Sequence, residues 1–328
     1  MQMDKFSLVT RNVEEIVTLD ELRALLASKK RPTAYVGYEP SGKIHMGHVL
    51  TVNKLLDLQN AGFEVIVLLA DIHAYLNEKG ELEEIREMAK GNKEVFEALG
   101  LDPNKTTFVL GGSDKYGLSD KDGFQMTPEH QMLSHRLMSH ITEKRAIRSM
   151  KLIARDPENM KASHVIYPIL QVADMIELDI DVAVGGMDQR KIHMLARDGL
   201  PKLGLRAPIC IHTPILIGLD GAKMSSSKEN YISVDDSPEQ VKQKISDAFC
   251  PKQVKDNPVV HLFKYHIFPR FSEVMVKRPD KFGGDLHYVC YEDLEKDFIS
   301  GILHPLDLKN AAIGYINEIL DPVREVLI

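Results

Sequence analysis

Six consecutive apolar residues, Val65-Ile-Val-Leu-Leu-Ala70, restrict the fold of this chain more than any other stretch. A strand with one wet face alternates apolar and polar residues. A strand with no alternation needs cover on both faces, as in a parallel sheet lying between layers of helices. The flanking segments fit that demand. Thr33–Tyr38 is a short apolar run that closes in a Glu39-Pro-Ser-Gly42 turn. From about Met46, Val49, Val52, Leu55, Leu56 and Gln59 keep a helical period, and Gly62 stands where a helix-ending glycine belongs. A second helix is expected over Leu82–Leu99 and a third strand over Thr106–Leu110, with further strands at Asp181–Val184 and Ile209–Ile217. Strands alternating with helices through short connections give an α/β class with a Rossmann-like parallel sheet.

An insertion of about residues 112–162 interrupts this alternation. Thr127-Pro-Glu129 offers it a helix N-cap, a first-turn proline and an acidic first turn. The helix expected beyond carries Lys144, Arg148, Lys151 and Arg155 on one face. Around Asp235 the pattern changes: Ser237-Pro-Glu239 opens a helix and no further βαβ unit follows. The expected domains are therefore 1–234, with the sheet and the insertion, and 235–328, mainly helical.

Charge then limits the partners. With 41 Lys+Arg against 48 Asp+Glu, the net charge of −7 cannot draw nucleic acid to the chain as a whole, so such a partner must meet a local basic patch. Cys210, Cys250 and Cys290 have no CxxC spacing, which argues against a disulfide framework or a zinc knuckle. Met1–Asn12 lacks the pattern of a signal peptide, and the longest apolar run is far short of the ~20 residues that span a membrane. No membrane partner is expected, and the compartment is read as cytoplasmic.

Two separated motifs carry chemistry. His45-Met-Gly-His48 follows the first strand and its glycine turn and begins a helix. Histidines three apart in a first turn lie side by side, next to free backbone N–H groups and the positive end of the helix dipole. Gly47 lets a flat ring or a phosphate approach the backbone closely. Such a surface suits a triphosphate. The same spacing is compatible with metal ligation, but no third ligand is local and HExxH is absent, so no metal site is expected. Lys223-Met-Ser-Ser-Ser227 follows the last expected strand in a glycine-hinged loop, where a lysine can swing a point charge onto phosphates and serine hydroxyls can donate to their oxygens. Alone, the pentapeptide is better read as an exposed polar loop. Together the two motifs bracket the C-terminal crevice of the sheet, where α/β folds bind ligands.

His45–His48 resembles the HIGH motif, and Lys223–Ser227 the KMSKS motif, of class I aminoacyl-tRNA synthetases. With Tyr35–His48, Val165–Gln171 and Val184–His193, nearly the whole chain resembles the tyrosyl-tRNA synthetases of the archaeal and eukaryotic kind. Met46 departs from the first motif's isoleucine or leucine, and Ser226 from the second motif's lysine. The loop from Ser113 to Gln125 has no match. The resemblance implies a homodimer that uses ATP and Mg²⁺ to join L-tyrosine to tRNA(Tyr), with contact between copies through the insertion. It implies His45 and His48 at the reacting phosphate, Lys223 with Ser225 and Ser226 on the pyrophosphate side, and Gly37 and Gly47 in the ATP site. Tyr35 and Asp174 then hold the phenol hydroxyl, and Tyr167, Gln171 and Gln189 surround the ammonium. Tyr167, Gln171 and Asp174 share one helix face by spacing. Arg148, Arg190 and Lys191 fall where the acceptor end is met, and Phe282, His304 and Asp307 where the first anticodon base is read. Taken without the resemblance, Tyr35 is a core aromatic, Asp174 a surface carboxylate and Asp307 a helix cap. A tryptophanyl enzyme, an HxGH nucleotidylyltransferase and a non-catalytic tRNA-binding relative are the rivals. The first has no use for Tyr35 and Asp174, and the second none for the lysine–serine loop.

Overall fold

The computed structural model describes residues 3–113, 115–222, 224 and 229–327. In chain order its elements are α1 (Lys5–Thr10), β1 (Glu15–Val17), α2 (Leu19–Ser28), β2 (Thr33–Tyr38), α3 (Met46–Asn60), β3 (Glu64–Leu69), α4 (Asp71–Leu76), α5 (Leu82–Ala98) and β4 (Thr106–Leu110). Then come α6 (Pro128–Met138), α7 (Glu143–Met150), α8 (Ser163–Glu177), β5 (Val182–Gly186), α9 (Arg190–Gly199) and β6 (Ile209–Thr213). The rest of the chain forms α10 (Pro238–Asp247), α11 (Pro258–Leu262), β7 (Val274–Val276), β8 (Leu286–Tyr288), α12 (Tyr291–Ser300) and α13 (Pro305–Val326). No helix among the described residues is long and apolar enough to cross a membrane.

Packing separates two compact units, Met1–Gly42 with Lys54–Pro214, and Lys43–Asn53 with Ile215–Ile328. The first holds one sheet in the order β1-β6-β5-β2-β3-β4, parallel except for β1, which pairs antiparallel with β6. β3 lies between β2 and β4, and Val65–Leu69 are buried throughout, as their lack of alternation requires. α3 ends where Gly62 takes φ +95°, a conformation that a side chain would strain. Strands β2, β3 and β4 follow one another to one side, whereas β5 and β6 extend to the other. The order therefore reverses between β2 and β5, where Tyr35 pairs in register with Ala183. Crevices at such a reversal are where open α/β sheets take ligands.

The second unit is mainly helical, with a small β7–β8 hairpin. Its core includes Val241, Ile245, Phe263, Leu294, Phe298, Leu308, Ile316 and Leu320. α10 opens on a capping box of Ser237 and Gln240. Apart from Lys43–Asn53, this unit runs from Ile215, two residues after β6 stops at Thr213.

The helix bearing the basic face is shorter than its spacing implies. α7 ends at Met150, so Arg155 lies beyond it in a loop and the four cations do not share one helix. Tertiary partners take the backbone groups that would have continued it. The amide of buried Asn77 donates to the Ile153 carbonyl at 3.2 Å and accepts from the Arg155 N–H at 3.0 Å.

Candidate active site

Tyr35 rises from β2 at the sheet's reversal point, 1% exposed, and α8 presents Tyr167, Gln171 and Asp174 on its buried face. Asp174 is fully buried. Its Oδ1 accepts from His130 Nε2 at 2.8 Å and from Gln125 Nε2 at 2.9 Å, and its Oδ2 accepts from Gln125 Nε2 at 3.0 Å. His73 Nε2 stands 3.7 Å from Oδ2. Burial first, and then the Asp174 charge, push the Tyr35 phenol well above its ordinary value, so it stays a neutral hydroxyl. A Cβ on Gly37 would lie 3.0 Å from the Tyr35 hydroxyl, so the glycine keeps that flank clear.

A second cluster lies along the same helix face. The Tyr167 hydroxyl donates to Glu39 Oε1 at 2.8 Å, and the His73 ring meets Tyr167 edge-on with centroids 4.5 Å apart. Glu39 also accepts from Asn77 Nδ2 at 2.9 Å and pairs with Lys79 at 3.7 Å; burial raises its carboxyl despite the nearby ammonium. Gln171 donates to Gln189 Oε1 at 3.2 Å, and its own buried Oε1 has no partner among the described residues. That oxygen is an acceptor ready for a donor such as an ammonium group. Gln189 donates onward to Asp188 Oδ2 at 2.9 Å.

The histidine turn belongs to the second unit. Gly47 N–H donates to His45 Nδ1 at 3.1 Å, and His45 N–H donates to His48 Nδ1 at 3.2 Å. A ring nitrogen that accepts a backbone N–H carries no proton, so both rings are neutral and hold their proton on Nε2. Burial lowers the His45 imidazole to about 4, which agrees. The residues after the lysine–serine loop are stitched to this turn. Met46 N–H donates to the Ile232 carbonyl and Val234 N–H to the Ile44 carbonyl, each at 3.0 Å, and the His45 ring packs 4.8 Å from that of Tyr231. A Cβ on Gly47 would lie 3.6 Å from Met224 Sδ, so the methionine of the second motif sits against the first. Met46, Met224, Tyr231 and Ile232 line one small cavity beside them. Lys223, Ser225 and Ser226 lie outside the described residues. Among the described residues no three His, Cys, Asp or Glu side chains are grouped to hold a metal ion.

The residues expected at tRNA are divided between the two units. Arg148 and Lys191 are exposed, while Arg190 is held by Glu15 through bonds of 2.7 and 2.8 Å. Phe282 is 61% exposed under the Lys281 ammonium. Arg278 ties its turn, through the Gly284 carbonyl at 2.9 Å, to the Ile302 carbonyl at 2.7 Å, two residues before His304. His304, not Asp307, caps α13, its Nδ1 accepting from Leu306 N–H at 3.1 Å.

Sequence reasoning missed Gln125, His130, His73, Glu39 and Asn77. The cap at Thr127 was a usable signal, since it places His130 in the first turn of α6 with its N–H on Thr127 Oγ1 at 3.2 Å. For Gln125, at the end of an unmatched polar loop, there was none.

A parallel sheet with buried polar groups at its reversal point, and a bis-histidine helix turn bonded to the residues that follow a lysine–serine motif, are the features of a class I synthetase. The model of the family "tRNA synthetases class I (W and Y)" matches residues 27–321, and the chain belongs to that family, on its tyrosine side. It is 59% identical over 326 residues to the tyrosine–tRNA ligase of Methanococcoides burtonii, covering 99% of this chain and 100% of that one. It is 56% identical over 327 residues to the tyrosine–tRNA ligase of Methanosarcina acetivorans, covering 99% and 100%. The crystal structure of tyrosyl-tRNA synthetase complexed with L-tyrosine from Archaeoglobus fulgidus superposes with a TM-score of 0.94, at 54% identity and with 98% of each chain covered.

Proposed function

We propose that this chain is a tyrosine–tRNA ligase. It activates L-tyrosine with ATP to tyrosyl-adenylate and pyrophosphate, then transfers the tyrosyl group to the 3′-terminal ribose of tRNA(Tyr). The Asp174 centre carries the reading. A fully buried carboxylate with an acceptor oxygen to spare, beside a neutral Tyr35 hydroxyl, suits a phenol that can donate. A ring without the hydroxyl would leave those groups unpaired, a penalty for which tyrosyl-tRNA synthetases are themselves a standard worked example. A tryptophan ring supplies no such group either. The tyrosine-bound Archaeoglobus fulgidus relative supports the choice.

In this reading Gln171 Oε1, Gln189 and Tyr167 receive the ammonium and leave the tyrosine carboxylate to attack the α-phosphorus of ATP. The bond from that phosphorus to the bridging oxygen breaks and pyrophosphate leaves. The substrate supplies the nucleophile, so the protein contributes alignment and charge stabilisation. Neutral His45 and His48 donate from Nε2 to the oxygens on which charge grows, Gly37 and Gly47 admit the nucleotide, Lys223 neutralises charge on the departing pyrophosphate, and Ser225 and Ser226 donate hydrogen bonds to it. Mg²⁺ arrives as part of the nucleotide substrate, most of its ligands being phosphate and water oxygens.

Arg148, Arg190 and Lys191 meet the acceptor end of tRNA, and Phe282, His304 and Asp307 the first anticodon base, within the helical domain of residues 235–328. A second copy of the chain is the partner of the insertion, where Met126, Met132, Met138 and Leu152 are exposed. The same proposal places the enzyme in the cytoplasm, with its three cysteines free. Pyrophosphate exchange measured with each of the twenty amino acids tests the reading. Exchange with tyrosine alone is expected, and exchange with tryptophan instead overturns it.

A further inference from the structure

We propose that His130 is a specificity-determining positioning residue: it holds Asp174 in the orientation that leaves Oδ2 for a phenol hydroxyl. The inference rests on the reading of Asp174 as the phenol acceptor. An ionised carboxylate offers about four lone-pair positions. Oδ1 uses two of its own, on His130 at 2.8 Å and Gln125 at 2.9 Å. Oδ2 uses one, on Gln125 at 3.0 Å, since His73 at 3.7 Å is outside hydrogen-bond range. The free capacity therefore sits on one oxygen. Without the His130 bond the carboxyl can turn about its Cβ–Cγ axis and the distinction between its oxygens is lost. No lysine or arginine among the described residues pairs with Asp174 to hold it instead.

Packing alone does not account for a histidine here. His130 is fully buried and meets the Phe124 ring edge-on at 5.6 Å, yet its Nδ1 has no partner among the described residues. A phenyl ring would fill similar space without stranding a buried nitrogen, which is unfavourable. Among the described residues the ring hydrogen-bonds only to Asp174, so Nε2 carries the proton and the residue serves the carboxylate.

The test is pyrophosphate exchange with tyrosine and with phenylalanine for wild type, His130→Phe, His130→Gln and Asp174→Asn. His130→Phe should lower the tyrosine-over-phenylalanine ratio of kcat/KM by about ten- to a hundredfold, chiefly through the tyrosine KM, with the KM for ATP unchanged. His130→Gln, which restores an N–H donor, should recover most of the ratio. A His130→Phe enzyme that slows with both amino acids by the same factor, while Asp174→Asn collapses the ratio, overturns this proposal only. An unchanged ratio in Asp174→Asn overturns the reading beneath it. Nitrogen NMR of the histidine-labelled wild-type enzyme removes any dependence on the variants folding. His130 should show the Nε2–H form and shift when tyrosine binds, far more than with phenylalanine; equal responses overturn the proposal.

Discussion

Gly47→Ala should separate catalysis from stability. The added Cβ would lie 2.8 Å from His45 Cε1 and 3.0 Å from His45 Nδ1, but at an ordinary 3.6 Å from Met224 Sδ. Carbon atoms prefer about 3.5–4.0 Å, so the His45 ring must retreat by roughly 0.7–1.2 Å while the methionine need not move. The ring is the part that yields, being held at Nδ1 by the single Gly47 N–H and by contacts with His48 and Tyr231. Overpacking of this kind costs about 1–3 kcal/mol, and alanine in a helix returns about 1 kcal/mol over glycine. The net change in stability is then about 0–2 kcal/mol. Displacing a donor from a developing phosphate charge costs more, of the order of 10²–10³ in kcat for oxyanion-type donors. The expected enzyme melts within about 8 °C of wild type, binds tyrosine normally and forms adenylate about a hundredfold more slowly. Pyrophosphate exchange, equilibrium dialysis with tyrosine and a thermal melt measure the three quantities. Normal exchange in a folded variant would refute the role assigned to the His45 ring. A large fall in melting temperature would refute the claim that only the ring yields.

Burial lowers His45 to about 4, and His193 and His266 to about 3, from an unfolded value of 6.5. The unfolded chain binds these protons first, so their contribution is complete above pH 6.5 and is lost as the pH falls toward 4 and then 3. Urea unfolding should show stability falling over that interval, and His266→Leu should flatten the slope; an unchanged slope contradicts the assignment. Asp307→Ala should weaken charging of tRNA and leave pyrophosphate exchange intact, since His304, not Asp307, caps α13; loss of both activities would mean a structural role. Lys223→Ala should slow adenylate formation far more than it weakens tyrosine binding, and equal losses in the two assays would contradict its place on the pyrophosphate.

Much of the site was legible because its spacing is local. Tyr167, Gln171 and Asp174 fall on one face of any helix that contains them, and the caps at Thr127 and Ser237 open α6 and α10 as written in the sequence. The partners of Asp174 were not legible. Gln125 and His130 stand 49 and 44 positions away from it, and no period connects them. Cation spacing was misleading for a related reason. Helical period counts the residues that could share a face, but the Asn77 amide, from a different part of the chain, took the backbone groups that would have carried α7 onward to Arg155.

By itself, then, the sequence determined that Val65–Ala70 must lie between two layers, and that a bis-histidine turn opens the helix after the first long strand. These follow from backbone geometry with periods of two and 3.6, which act over a few residues. Tertiary structure alone decided that the residues after the lysine–serine loop pair with Ile44 and Met46, and that Oδ2 rather than Oδ1 of Asp174 keeps an acceptor position. Hydrogen bonds answer to distances of about 3 Å in space, whatever the separation along the chain.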